Sequence, residues 1–213
     1  MKNASQENQD ANTTRCLPKL KPTITPAELS TFLEAGALIA AHQLIGCTLE
    51  RTLKDGTILT ARIIETEAYT QNDPASHSAN GISPRNKPMF GPAGTLYVYI
   101  SYGMHHCMNV VTGELGQGEA VLLRALQPIT GIQRMVEHRN WQGKPAQQLL
   151  NGPGKICQAF AITKEHNTLN LLQGNQAVRL YPRTDWPTQT PIQLTPRIGI
   201  SKAVEWKRRF VVC

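Results

Sequence analysis

The sequence predicts a mixed α/β fold, and three observations carry that expectation. Asp55-Gly56 stands between two strand-like runs, 46–53 and 58–69, and Asp-Gly is a strong short-range hairpin signal. Thr25-Pro26-Ala27-Glu28 opens a helix, with a capping box and Pro at the first helical position. Further strand-like runs at 95–102, 107–112 and 120–127 precede helical stretches at 129–139 and 145–150 and from Pro153. At 213 residues the chain fits one domain or two small ones, with enough length to bury a sizeable core.

Taken in order, residues 1–22 are polar and match a disordered arm, so the folded domain is expected to span 23–213. Leu29, Phe32, Leu33, Leu38, Ala41 and Ile45 form an apolar stripe that Gly36 breaks into two short helices. In the return strand of the hairpin, alternation puts Glu65, Glu67 and Tyr69 on one face, with Ile64, Thr66 and Ala68 on the other. Residues 70–94 form a long loop with four prolines, Pro74, Pro84, Pro88 and Pro92; a loop of this length inside a domain is usually functional. A Gly-rich turn (Gly113, Gly116, Gly118) joins the strands at 107–112 and 120–127. Gly152-Pro153-Gly154-Lys155 reads equally well as an ordinary helix start or as a phosphate seat. Residues 177–181 and 197–200 complete the strand set.

Composition narrows the function classes. Hydrophobic residues are 40% and charged residues 17%, the balance of a soluble globule. No apolar run approaches bilayer length, and Met1–Thr14 lacks the apolar core of a secretory signal, so a cytoplasmic protein without a membrane partner is expected. The five cysteines are odd in number and contain no Cys-x-x-Cys, which argues against a disulfide framework or a zinc site. A net charge of +7 and a pI near 9.3 favour a polyanionic partner. Gly-x-Ser-x-Gly, Walker A and Gly-x-Gly-x-x-Gly patterns are missing, and no cofactor is expected.

The chemistry concentrates between Arg62 and Asn109, where four of the five tyrosines fall. Glu65 reads as a solvent-facing acid. Glu67 has an aromatic neighbour and an apolar flank, the setting of a carboxylate held from bulk water within reach of one water molecule. With one such acid, paired-carboxylate glycoside chemistry is not supported. Tyr69, Tyr97, Tyr99 and Tyr102 as a cluster suit ring stacking, and His77 in the long loop could close a pocket over them. His105 and His106 are adjacent on a strand and cannot face one metal, and a Cys107–His77 nucleophile pair has no local support.

The residues then resemble a family. Glu65-Thr66-Glu67-Ala68-Tyr69, Asp73-Pro74-Ala75-Ser76-His77-Ser78, Pro84-Arg85-Asn86 and Met89-Phe90-Gly91-Pro92-Ala93-Gly94 are similar to motifs of the bacterial 3-methyladenine (alkyladenine) DNA glycosylases. So are Tyr97-Val98-Tyr99, Tyr102-Gly103-Met104-His105-His106-Cys107-Met108-Asn109, Leu122-Leu123-Arg124-Ala125, Gly152-Pro153-Gly154-Lys155 and Arg197-Ile198-Gly199-Ile200. The resemblance covers roughly residues 25–210.

It implies a single domain around a curved antiparallel sheet with flanking helices. It also implies a monomeric, monofunctional enzyme that flips a damaged purine out of duplex DNA and hydrolyses its N-glycosidic bond. By resemblance, Glu67 is the general base, Arg124 and the Ile198 carbonyl place the water, and Tyr69, His77 and Tyr99 sandwich the base. Asn109 screens out normal guanine, and Tyr102 wedges into the vacated stack. Arg85, Lys87 and Lys155 are candidates for phosphate contacts. No lysine falls on a matched catalytic position, so no Schiff base and no strand cleavage are expected. The family continues beyond the Trp206–Phe210 region with another short strand, where this sequence stops at Cys213. The rival expectation is a non-catalytic nucleic-acid-binding protein on the same scaffold; a base-modifying enzyme acting on RNA is a third.

Overall fold

The helical face is set first by local chemistry. Helix α1 (Pro26–Glu34) starts on its capping box: the Thr25 hydroxyl accepts from Glu28 N–H at 3.2 Å, and Glu28 accepts from Thr25 N–H at 2.8 Å. Gly36, at φ +95°, ends that helix path and starts α2 (Ala37–Gln43). The Glu119 carboxylate accepts from Ala37 N–H at 2.8 Å, placing an anion at the positive end of α2. Leu29, Leu33, Ala37, Ala40 and Ala41 are buried against the sheet.

The computed structural model describes residues 17–213. The rest of the expected arm, residues 1–16, lies outside the described residues. Residues 17–22 run along the folded body: Leu20 is buried in the core, Lys21 C=O accepts from Arg183 Nε at 2.7 Å, and Pro22 C=O accepts from Trp186 N–H at 2.9 Å.

Strands β1 (Thr48–Thr52) and β2 (Ile58–Tyr69) form the expected hairpin, with Gly56 at φ +83° and Asp55 Oδ1 accepting from Thr57 N–H at 2.9 Å. Then come β3 (Leu96–Ser101), β4 (His105–Val111), β5 (Ala120–Thr130), helices α3 (Ile132–His138) and α4 (Pro153–Ala159), and strands β6 (Val178–Tyr181), β7 (Ile192–Pro196) and β8 (Lys207–Val212). All pairings are antiparallel. The eight-stranded sheet runs β3-β4-β5-β2-β1-β6; β8 pairs with β2 at Glu65–Glu67, and β7 pairs with β8. The sheet curls into a half-barrel, so the fold is a mixed α/β single domain as the sequence predicts.

The alternation of β2 is not uniform. Leu59, Ala61 and Ile63 join the main core, but beyond an irregular stretch around Ile64 and Glu65 the core positions are Thr66 and Ala68. Thr66 Oγ1 donates to Ala41 C=O of α2 at 2.8 Å. β5 changes in step, from Leu126 to Leu123 and Val121. The bulged stretch re-aims the strand, so Glu65, Glu67 and Tyr69 share the face away from the helices.

Three sequence-based elements differ. Strand β5 extends to Thr130, so α3 starts at Ile132 rather than at 129. At the junction, Gly131 (φ +70°) passes so close to β2 that an added Cβ would lie 2.5 Å from Leu59 Cδ2. The stretch 145–150 holds one short 3₁₀ turn, Ala146–Gln148. Residues 197–200 are not a strand: Gly199 turns at φ +77°, and Ile198 N–H bonds a side chain, Glu67, instead of a neighbouring strand. The strands in this region are β7 and β8 on either side. Among the described residues, no helix is long and apolar enough to cross a membrane.

Candidate active site

Glu67 is fully buried on the face of β2 turned away from the helices. Its Oε1 accepts from Ile198 N–H at 2.9 Å and its Oε2 accepts from Tyr69 O–H at 2.9 Å. Arg124 Nε, from β5, lies 3.4 Å from Glu67 Oε1 and 3.2 Å from Glu65 Oε1. Burial pushes the Glu67 carboxyl above the ordinary carboxylate range; Arg124, the Ile198 amide and the Tyr69 hydroxyl oppose that only in part, and Glu65 adds to it. Glu65 does not face solvent as expected. It is largely buried and also pairs with Arg209 of β8, whose Nη1 donates to Thr195 Oγ1 at 3.0 Å. Burial and the adjoining Glu67 carboxylate hold the Tyr69 phenol well above its usual range, so it stays a donor.

Tyr69, Arg124 and Ile198, which hold Glu67, also line a cavity of about 730 Å³ together with His77, Tyr99 and Asn109 among others; Glu67 itself lies just behind that lining. That size accommodates a small ring system. His77 meets Tyr99 edge-on, with ring centroids 4.5 Å apart and planes at 79°, and its Nδ1 lies 3.0 Å from the Tyr97 hydroxyl. Partial desolvation and the Arg85 guanidinium lower the His77 imidazole, which favours a neutral ring at neutral pH. The loop carrying His77 is held from inside: buried Asn86 donates Nδ2–H to His77 C=O at 2.7 Å and to Gly81 C=O at 2.9 Å. Asn109 is buried in β4, and its Nδ2 reaches Tyr97 C=O at 3.2 Å. Cys107 also lines the cavity, and burial pushes its thiol up, away from the thiolate a nucleophile needs.

The rim differs from the floor. Tyr102, at φ +50° in the β3–β4 turn, is 86% exposed at the cavity mouth. Arg85 is exposed there too, its guanidinium carbon 5.7 Å from the Tyr99 ring centroid. Lys87 and Lys155 lie outside the cavity lining. Lys87 is exposed, and Lys155 Nζ donates to Asn151 Oδ1 at 2.6 Å rather than projecting free from the start of α4. The structure thus gathers Arg124, Ile198, Tyr69, His77, Tyr99, Asn109, Tyr102 and Arg85 around one opening, sets Glu67 directly behind Arg124, Ile198 and Tyr69, and leaves the two lysines outside it.

Two residues that the sequence assigns no role stand directly behind the site. Asp73 and Arg197 form a fully buried ion pair. Both lie in stretches the sequence singles out, but they are 124 positions apart, and no local pattern joins them.

A sequence model of the family described as methylpurine-DNA glycosylase matches residues 31–213. The chain belongs to the methylpurine-DNA glycosylase family. Membership makes it a hydrolase of N-glycosyl bonds with DNA as its substrate. A Francisella tularensis protein named "Putative 3-methyladenine DNA glycosylase" is 42% identical over 184 residues, 86% of this chain and 94% of the relative. Relatives of the same name from Carboxydothermus hydrogenoformans (42% over 179 residues, 84% of this chain and 91% of the relative) and Methanoculleus marisnigri (41% over 181, 85% and 92%) extend the match.

Proposed function

We propose that this glycosylase removes alkylated purines, such as 3-methyladenine and 7-methylguanine, from duplex DNA with a water activated by Glu67. The observation that carries the reading is a buried carboxylate with a raised pKa whose partners Tyr69, Arg124 and Ile198 line an aromatic cavity. In this reading the damaged nucleotide swings out of the helix, and its base enters between Tyr69 on one side and His77 and Tyr99 on the other. Alkylation at N3 or N7 makes the purine cationic, which suits tyrosine faces and weakens its bond to C1′.

The water oxygen bonds C1′ as the C1′–N bond breaks. The bonding pair leaves with the purine, which departs neutral, and the water proton passes to Glu67. Arg124 and the Ile198 backbone hold that water, Asn109 rejects the 2-amino group of normal guanine, and Tyr102 fills the gap in the stack. The flip costs a few kcal/mol, least for a damaged base. Arg85 at the rim, with Lys87 and Lys155 further out, contacts phosphates. The product is an abasic site without strand cleavage. The protein acts as a monomer, and hypoxanthine and ethenoadenine are further candidate substrates.

The test is single-turnover base release from methylated duplex DNA, with Glu67→Gln in parallel. Release by the wild type and a loss of about a thousandfold in the variant, with duplex binding kept, is expected. Equal release by the variant rules out Glu67 as the base; tight binding with no release by the wild type supports the rival binding-protein reading.

A further inference from the structure

The hydrogen bond that Ile198 gives Glu67 comes from a turn, not from a sheet, so something must fix that turn. The residue before it does so. Arg197 has a fully buried side chain, and its Nη1 donates to Ala68 C=O at 3.0 Å. Ala68 lies between Glu67 and Tyr69 in β2. Nη2 donates to Asp73 Oδ1 at 3.0 Å, and Nη1 also meets Asp73 Oδ2. The same guanidinium lies over the Tyr69 ring, 4.6 Å from its centroid. Tyr69 lines the cavity and Arg197 does not, so the cation backs the aromatic wall from behind. Asp73 is itself pinned, accepting from Ala75 N–H at 2.9 Å and facing Arg208 Nη1 at 3.4 Å. Arg208 also donates to Thr70 Oγ1 at 2.7 Å.

One guanidinium thus joins the strand that carries the acid, the turn that hydrogen-bonds it, the wall beside it and the loop that leads to His77. Its Nε has no hydrogen-bond partner among the described residues, so these groups, not complete satisfaction of its donors, set its place. A buried ion pair is a poor device for stability alone, because apolar replacements often do as well. Its planar fork is a good device for fixing geometry.

We infer that Asp73 and Arg197 are a positioning pair, which holds the Ile198 amide on Glu67 and the Tyr69 ring against the bound base. The inference rests on the reading of Glu67 as the general base. Besides the Ile198 amide, Glu67 is faced by Arg124 from β5, by Glu65 and Tyr69 from β2 and by Tyr99 from β3; Arg209 of β8 stands opposite it in register. Of these groups only the amide and Tyr69 are held by Arg197. The amide helps to keep the carboxylate ionised, so releasing it raises the pH at which Glu67 loses its proton.

The experiment is single-turnover base release by wild type and Arg197→Lys across the acid range, with DNA affinity measured separately. Lysine keeps a charge for Asp73 but cannot also reach Ala68 or stack flat on Tyr69. The expected result is a rate roughly ten- to a hundredfold lower, an acid limb moved up by about half to one pH unit, and an affinity within about twofold. An unmoved acid limb, or an affinity loss that accounts for the lower rate, overturns the pair. Should Arg197→Lys not fold, Arg208→Lys at the outer edge of Asp73 carries the test, with a smaller shift of the same sign; no shift there overturns it as well. No release by the wild type removes the functional reading and the pair with it, whereas release with an unmoved limb removes the pair alone.

Discussion

Glu67 and Asp73 are both fully buried acids close in sequence, and they are treated in opposite ways. Asp73 has Arg197 on both oxygens, Arg208 beside it and the Ala75 amide in addition. Glu67 has one arginine, Arg124, which it shares with Glu65, and otherwise only neutral donors, the Ile198 amide and the Tyr69 hydroxyl. Burial is the same for both; the supply of fixed positive charge is not. A buried acid becomes a fastening when cations surround it, and its affinity for a proton rises when its compensation is left incomplete.

The contrast should be widest in stability. Removing Asp73 leaves two arginines facing a hole. Asp73→Ala is therefore expected to cost about 3–5 kcal/mol in urea unfolding, whereas Glu67→Gln stays within about 1 kcal/mol of wild type. Equal losses would erase the distinction.

A finer version uses pH. Burial raises the folded-state carboxyl of Glu67, so between its unfolded and folded values the native state holds a proton that the unfolded chain has released. In that window stability falls as pH rises, and above it the cost remains in full. Glu67→Gln lacks this fall, so its unfolding free energy relative to wild type should climb through the window and then level off. Thermal melts from about pH 4 to about pH 8 measure this; parallel curves would mean that the carboxyl is not raised.

The smallest effect on folding belongs to the rim. Tyr102 is so exposed that Tyr102→Ala should leave stability within about 0.5 kcal/mol. Base release at limiting enzyme should nonetheless fall about tenfold if the ring fills the vacated stack. A change in melting temperature with unchanged release would put Tyr102 among the structural residues instead.

Legibility in the sequence followed the range of the interaction. The β1–β2 hairpin and the start of α1 rest on neighbours a few positions apart, so Asp55-Gly56 and Thr25–Glu28 were readable. The shared face of Glu65, Glu67 and Tyr69 was readable because alternation holds from Glu65 onward; it was misleading for Ile64, where the strand is irregular. Strands β7 and β8 gave little signal. Ile192–Pro196 is hemmed by prolines, and Lys207–Val212 begins with three charges, of which Arg208 and Arg209 find their partners in distant acids. Residues 197–200 looked like a strand because nothing in the sequence shows that Arg197 is pulled inward by Asp73. Glu65 looked solvent-facing because Arg209 is far along the chain. The bond from Lys155 to Asn151 was not readable, because it depends on how the chain enters α4.

The irregular stretch in β2 also divides the strand into parts that tolerate changes in length differently. A residue gained or lost in the Lys54–Thr57 turn lengthens or shortens a hairpin at the surface, and the side chains beyond it keep their facing. The same change between Ile63 and Thr66 leaves two outcomes, since β5 changes its facing at the same place. Either Glu67 and Tyr69 rotate toward the helices while Thr66 and Ala68 enter the cavity, or the two strands slip by one position along their whole shared length. For this fold, the deletions that matter most to chemistry are the short ones in the middle of its longest strand.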